Sequence, residues 1–77
     1  MEIYYTPHAL LRLQKRGISK QLVNKVLAEP GIKTPAINPK RSRWIKKFGD
    51  RFLDIIFEKR RNRIIIITAA WSKKEKK

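Results

Sequence analysis

The chain of 77 residues contains no cysteine and a single histidine. Without cysteine it cannot form a disulfide, and a zinc site would take most of its ligands from only six acidic residues. We therefore expect no metal and no other cofactor. Nothing in this composition indicates an oxidising compartment, so the cytoplasm is the expected location.

Long apolar runs are also missing. The most apolar segment, residues 64–71, is far shorter than the ~20 residues that a membrane-spanning helix needs. Residues 2–5 already have the composition of a strand, so we expect no signal peptide and no membrane partner. The length supports one hydrophobic core. The expected organisation is a single domain over residues 1–72 and a basic tail over residues 73–77.

Acidic residues are scarce, with 6 Asp and Glu against 20 Lys and Arg, which gives a net charge of +14. Most of this charge, +10, lies in residues 40–77. Hydrophobic residues still make up 42% of the chain and occur in periodic segments, so a folded domain is expected rather than a disordered tail. Such an excess of charge repels itself unless a counter-charge is near. A polyanion, above all RNA, is the expected partner.

Two helices are predicted in the first half of the chain. Thr6 can cap a helix whose first turn holds Pro7, and Gly17 fits the left-handed position that ends this helix. Ser19 is the cap of a second helix over residues 20–29, which a proline-glycine pair terminates.

Strands are predicted on either side of the helices. The first covers residues 2–5, and after a long proline-containing loop an alternating pattern begins at Arg43. Two further strands cover residues 51–59 and 64–71, the last of them expected at the centre of the sheet. The predicted fold is α+β in the order β-α-α-β-β-β, with two helices packed on one face of a mostly antiparallel four-stranded sheet.

The first helix is predicted to carry a basic stripe. On a helical wheel its apolar arc holds Ala9, Leu10 and Leu13. The adjacent basic arc holds His8, Arg12, Lys15 and Arg16. If basic residues of the sheet lie beside this stripe, the two sets form a groove for phosphate groups.

The candidate site residues fall into two groups. The candidates for catalysis are His8, Arg12 and Arg51. The candidates for nucleic-acid binding are Lys15, Arg16, Arg43, Lys46, Lys47, Arg63, Trp71 and Lys73. A guanidinium group pairs with phosphate through two aligned hydrogen bonds, and a tryptophan ring can stack on bases. The alternative is a solvated surface for each basic residue and core packing for each tryptophan.

His8 is the leading candidate for proton transfer. RNA cleavage without a metal needs a base for the 2′-hydroxyl proton, an acid for the leaving oxygen, and positive charge at the phosphorus. A single histidine excludes a pair of histidines within one chain. The first turn of a helix favours the neutral form of an imidazole, which is the base. Packing of His8 against the sheet is the alternative, and Tyr4 and Tyr5 are further candidates.

The segment H-A-L-L-R-L-Q-K-R-G-I-S, residues 8–19, resembles small toxins of the RelE/ParE superfamily, near its BrnT-like branch. Residues 51–57 and 64–77 resemble the closing strands and basic terminus of those proteins. The resemblance implies a ribosome-associated, mRNA-cleaving toxin that a partner antitoxin neutralises by covering the basic face. ParE-type members act instead on DNA gyrase.

These observations lead to one hypothesis and two alternatives. The leading hypothesis is a toxin-like RNA-binding protein, a metal-independent endoribonuclease that inhibits translation, with mRNA or the ribosome and an acidic antitoxin as partners. The first alternative is a nucleic-acid-binding module without catalysis. The second is a toxin-fold protein that acts by binding a protein target.

Overall fold

The computed structural model describes residues 2–35 and 40–73. Its elements are β1 (Glu2–Tyr5), α1 (Pro7–Arg16), α2 (Lys20–Ala28), β2 (Ile32–Pro35), β3 (Arg41–Phe48), β4 (Arg51–Lys59) and β5 (Arg63–Ser72). The end of the predicted tail, residues 74–77, and residues 36–39 of the predicted loop lie outside the described residues. No helix in the described part of the chain is long and apolar enough to cross a membrane.

The helix boundaries follow from local capping. The Thr6 hydroxyl accepts a hydrogen bond from the Ala9 amide at 3.0 Å, and the Ser19 hydroxyl accepts one from the Leu22 amide at 3.1 Å. Gly17 ends α1 in the left-handed conformation, with φ of 63°. The predictions for both caps and for Gly17 are confirmed.

The sheet differs from the prediction in strand number and order. It has five strands in the order β1-β5-β4-β3-β2, so β4 is central and β5 is not. β1 pairs with β5 in parallel, and the other neighbours are antiparallel. The prediction of a four-stranded, mostly antiparallel sheet is therefore wrong. β1 is thus the edge strand next to β5, and β2 is the edge strand on the opposite side of the sheet.

β2 lies within the segment predicted as a loop. Pro35 is the last residue of β2. In the sequence, Pro30 and Pro35 give this segment the composition of a loop. The strand pairs with β3 alone, with Ile32 opposite Ile45 and Thr34 opposite Arg43. At a sheet edge one side of the backbone needs no partner, so the missing N–H of a proline is tolerated there.

Both helices pack on the same face of the sheet, called here the helix face. α1 lies over β5 and β1, whereas α2 lies over β3 and β4. The core between the layers consists of Ala9, Leu13, Ile18, Val23, Val26, Leu53, Ile55, Phe57, Ile66 and Ala69. Leu10 was expected on the apolar arc with Ala9 and Leu13, but it is 42% exposed because it lies beyond the edge of the buried stripe.

A β-bulge in β5 decides which residues face the helices. The partner of Ile56 is Thr68, and the partner of Phe57 is Ile66, so Ile67 is an extra residue. The bulge reverses the alternation, with the result that Ile64 and Ile66 before it and Trp71 after it pack on the core. Without this extra residue, Trp71 would point away from α1.

The other face of the sheet, called here the open face, contains a charged pair. Arg43 Nε donates to both carboxylate oxygens of Asp54 at 2.9 Å, and Nη2 bonds the carboxylate as well. The side chains are 29% and 11% exposed. The hydrogen bond to Asp54 raises the pKa of Arg43, so this guanidinium stays charged.

Replacing Asp54 with alanine should lower the free energy of unfolding by about 2 kcal/mol. Arg43 would keep a partly buried charge without its partner, a change that costs more than the loss of an exposed ion pair. Urea denaturation followed by circular dichroism measures the change. The control is Glu29→Ala, which removes an exposed carboxylate 3.9 Å from Lys46 and should cost less than about 0.5 kcal/mol. Equal effects of the two variants would contradict the assignment.

Candidate functional site

α1 presents a row of basic side chains beside its buried stripe. His8 is exposed, and its Nε2 accepts a hydrogen bond from Arg12 Nε at 3.2 Å. Arg16 follows Arg12 by one further turn, and Lys15 is exposed next to it. His8 is thus not enclosed among aliphatic side chains, and it lies directly beside a guanidinium group.

Arg16 attaches the end of α1 to the last residues of β5. Its guanidinium donates to the carbonyl oxygen of Ala69, and its own carbonyl oxygen accepts from Trp71 Nε1 at 3.2 Å. Within the described residues the guanidinium makes this one hydrogen bond, so its other N–H groups are available to a ligand. Arg16 therefore has a structural role and can also contact an anion.

Arg51 and Trp71 form a stack next to this attachment. The Arg51 guanidinium carbon lies 4.1 Å from the centroid of the Trp71 ring, and Phe48 contacts the ring edge-on at a centroid distance of 6.3 Å. Arg51 is exposed and Trp71 is half-buried. The guanidinium covers a face of the ring, so the outer side of Arg51 is the flat surface that this stack presents. Lys73, exposed, follows two residues after Trp71.

These contacts and the exposed lysines next to them define one surface, called here the α1 face. Its contacting residues are His8, Arg12, Arg16, Arg51 and Trp71. It also includes Lys15, adjacent to Arg16 in the chain, and Lys73, two residues after Trp71. In residues 2–35 and 40–73, none of its basic side chains forms an ion pair. Its positive charge is therefore not neutralised by nearby carboxylates of the described chain.

The other predicted binding residues lie elsewhere. Arg43 and Lys47 point to the open face, since their cross-strand partners Ile56 and Phe52 do not face the helices. Lys46 is on the helix face, but its ammonium group donates to the carbonyl oxygen of Glu29 at 3.0 Å. Arg63 is at the opposite end of β5 from Trp71. The structure does not bring these residues together with the α1 face.

A family model for a domain of unknown function, DUF4258, matches residues 5–71. The chain belongs to the DUF4258 family. Apart from Lys73, the whole α1 face of this DUF4258 domain lies within the match. No curated protein and no solved structure matches the chain significantly.

The tyrosines of β1 differ in their surroundings. Tyr5 faces the helices and packs against the core, and burial raises the pKa of its phenol. It stays protonated at neutral pH and is poorly suited to act as a base. Tyr4 is 49% exposed but pairs with Ile65 on the open face. His8 is therefore the candidate base that the DUF4258 domain exposes on its α1 face.

Two supporting groups were missed from the sequence. Phe48 holds the edge of the Trp71 ring, and the carbonyl oxygen of Ala69 holds the Arg16 guanidinium. Phe48 occupies an apolar position of an alternating strand, a signal that indicates burial but not its partner. The described residues of the DUF4258 domain contain no group of three or more His, Asp or Glu side chains that could hold a metal ion.

Proposed function

We propose that this DUF4258 protein is a toxin-like RNA-binding protein that cleaves RNA without a metal and so inhibits translation. The observation that carries the proposal is the continuity of the α1 face. The His8–Arg12 pair, Arg16, and the Arg51–Trp71 stack are linked along one helix and the strand ends beside it. The similarity to RelE/ParE toxins in residues 8–19 supports the same conclusion.

RNA would be held by charge and stacking. Arg12 and the free N–H groups of Arg16 bind phosphates, for which guanidinium groups are well suited. Arg51 offers a flat cation, already oriented by Trp71, on which an unpaired base can stack. Binding of this kind depends little on the base sequence. It weakens as the salt concentration rises, because binding releases counterions from the phosphates.

Cleavage would use the 2′-hydroxyl of the RNA as the nucleophile. His8 takes the hydroxyl proton while the 2′-oxygen forms a bond to the adjacent phosphorus and the bond from phosphorus to the 5′-oxygen breaks. The leaving oxygen takes a proton from water, and the hydroxide that remains takes the proton held by His8, which restores the base. The products are a 2′,3′-cyclic phosphate and a 5′-hydroxyl end. Arg12, which moves from Nε2 of His8 to the phosphate when RNA binds, stabilises the charge that develops on the phosphoryl oxygens.

The same surface suits an acidic protein. An antitoxin rich in carboxylates would neutralise the α1 face and compete with RNA for it. The proposal therefore includes an acidic antitoxin as the second partner, RNA in the form of mRNA or the ribosome as the target, and the cytoplasm as the location.

Binding without cleavage is the second candidate function. The observation in its favour is that Nε2 of His8 already accepts a hydrogen bond from Arg12. The lone pair that a general base needs is occupied until Arg12 moves to a phosphate. If Arg12 stays on the imidazole when RNA binds, the protein holds RNA and does not cut it.

The single variants Arg12→Ala and Arg51→Ala should each weaken binding to single-stranded RNA by about tenfold, because each variant removes one contact made by a cation. For Arg12→Ala, the slope of log affinity against log salt concentration should become shallower by about 0.7, because Arg12 is proposed to contact one phosphate. Fluorescence anisotropy with labelled RNA at several salt concentrations measures both. Lys25→Ala is the control, because this exposed lysine lies on α2. If Lys25→Ala weakens binding as much as Arg12→Ala, the α1 face is not the binding surface.

A further inference from the structure

The turn between β4 and β5 is a second concentration of positive charge. It is called here the hairpin tip and consists of Lys59, Arg60, Arg61, Asn62 and Arg63. Four of these five residues are basic, none is acidic, and all five are exposed. The Arg60 amide donates to the Arg63 carbonyl oxygen at 2.8 Å and closes the turn.

The turn does not require its arginines. Asn62 supplies a residue type that turns favour, whereas adjacent like charges repel one another. Arg60 pairs with Glu58. Arg61 and Arg63 make no side-chain hydrogen bond or ion pair with any residue in 2–35 or 40–73. Their charges therefore have no partner in the described fold.

Neighbouring groups increase the excess of charge. Arg41 lies directly across from Glu58 on β3, and its Nε is buried without a hydrogen-bond partner. Glu58 is thus flanked by Arg41 and by Arg60, with which it pairs. Glu2 lies across from Arg63 on β1 without forming an ion pair. Among residues 2–35 and 40–73, the two carboxylates at this end of the sheet are outnumbered by cations.

The hairpin tip and the Arg51–Trp71 stack lie at opposite ends of β4. This strand has nine residues, Arg51–Lys59, and at about 3.3 Å per residue its ends are roughly 26 Å apart. α1 starts between these ends, because the Thr6 hydroxyl donates to Ile66 in the first half of β5. The His8–Arg12–Arg16 row thus lies between the tip and the stack. One phosphate cannot contact both ends, but a chain of phosphates can.

We infer that the hairpin tip is a second binding site for phosphates of the same RNA that occupies the α1 face, so that the ligand is an extended single strand. This inference rests on the proposed function. A single strand is favoured because the two sites do not lie in one plane. The α1 face lies on the helix face of the sheet, whereas the hairpin tip lies at the end of strands β4 and β5. A flexible strand can bend between them, whereas a straight duplex would contact one of the two.

The test compares two lengths of single-stranded RNA. At a stacked spacing of about 3.4 Å per nucleotide, four nucleotides span roughly 14 Å and fifteen span roughly 50 Å. The double variant Arg61→Ser/Arg63→Thr should bind the longer RNA about tenfold more weakly than the wild type and the shorter RNA equally well. Its salt slope with the longer RNA should be shallower by about 1.4, which corresponds to two phosphates. NMR titration suits the short RNA and fluorescence anisotropy the long one.

The matched control is Lys25→Ser/Lys33→Ser, which removes the same amount of charge from α2 and β2. Equal weakening by both double variants would show a general effect of net charge and overturn the inference. If Arg61→Ser/Arg63→Thr weakens binding of both RNA lengths equally, the inference is also overturned. If the wild type binds a fifteen-base-pair duplex more tightly than the single strand, and the double variant loses this affinity, the single-strand assignment is overturned. If the wild type binds neither length, the proposed function itself fails. Circular dichroism confirms that each variant is folded.

Discussion

Replacing His8 with alanine should slow RNA cleavage by about 100-fold or more, while the affinity for RNA stays within about twofold. General base catalysis contributes roughly this factor, and the exposed imidazole can take a proton once Arg12 has moved from Nε2 to a phosphate. The purified protein is incubated with mRNA in the presence of a metal chelator, both with and without ribosomes. The cleavage products are then quantified. A 2′,3′-cyclic phosphate end on the product identifies the 2′-hydroxyl as the nucleophile.

His8 and Arg12 can be separated by the kinetics of their variants. His8→Ala should lower the rate with saturating RNA, whereas Arg12→Ala should also raise the RNA concentration needed for half-maximal rate. Cleavage at the wild-type rate by His8→Ala would show that the imidazole is not the base. No cleavage by the wild type in either setting would leave RNA binding alone, which is the second candidate function. Expression of the protein in a bacterium then distinguishes an active from an inactive toxin, because only an active toxin should arrest growth and stop translation.

Replacing Trp71 with alanine should lower the free energy of unfolding by about 3 kcal/mol. The change removes the ring against which Phe48 and Arg51 pack and the hydrogen bond that holds the carbonyl oxygen of Arg16. A domain of 77 residues has a total stability of about 4–12 kcal/mol, so this is a large fraction. Urea denaturation followed by circular dichroism measures the loss.

A milder substitution separates stability from function. Trp71→Phe keeps an aromatic ring under Arg51 but removes the bond from Nε1 to Arg16, a loss of about 1 kcal/mol. Because α1 is then held less firmly to β5, RNA affinity should fall about threefold to tenfold under conditions where the variant is folded. The control is Trp44→Phe, since Trp44 packs edge-on against Phe57 away from the α1 face. If the two phenylalanine variants have the same RNA affinity, Trp71 does not organise the site.

Local signals predicted the helices and most strands. Thr6, Ser19 and Gly17 act within one turn of their own position, so their roles do not depend on the rest of the fold. β2 was missed because its composition does not distinguish an edge strand ending in Pro35 from a loop. The parallel pairing of β1 with β5 was missed because it joins residues about 60 positions apart, and sequence periodicity carries no information on such pairs.

The sequence by itself determined the net charge, the caps of α1, and the spacing that places His8, Arg12 and Arg16 in one row. These properties follow from composition and from helical geometry within ten residues. Only the tertiary structure decided that Arg51 and Trp71 join this row, whereas Arg43 and Lys47 lie on the opposite face. For Trp71 the physical reason is the bulge at Ile67, which reverses the alternation of β5 and turns the ring towards α1, where the Arg16 carbonyl accepts its N–H.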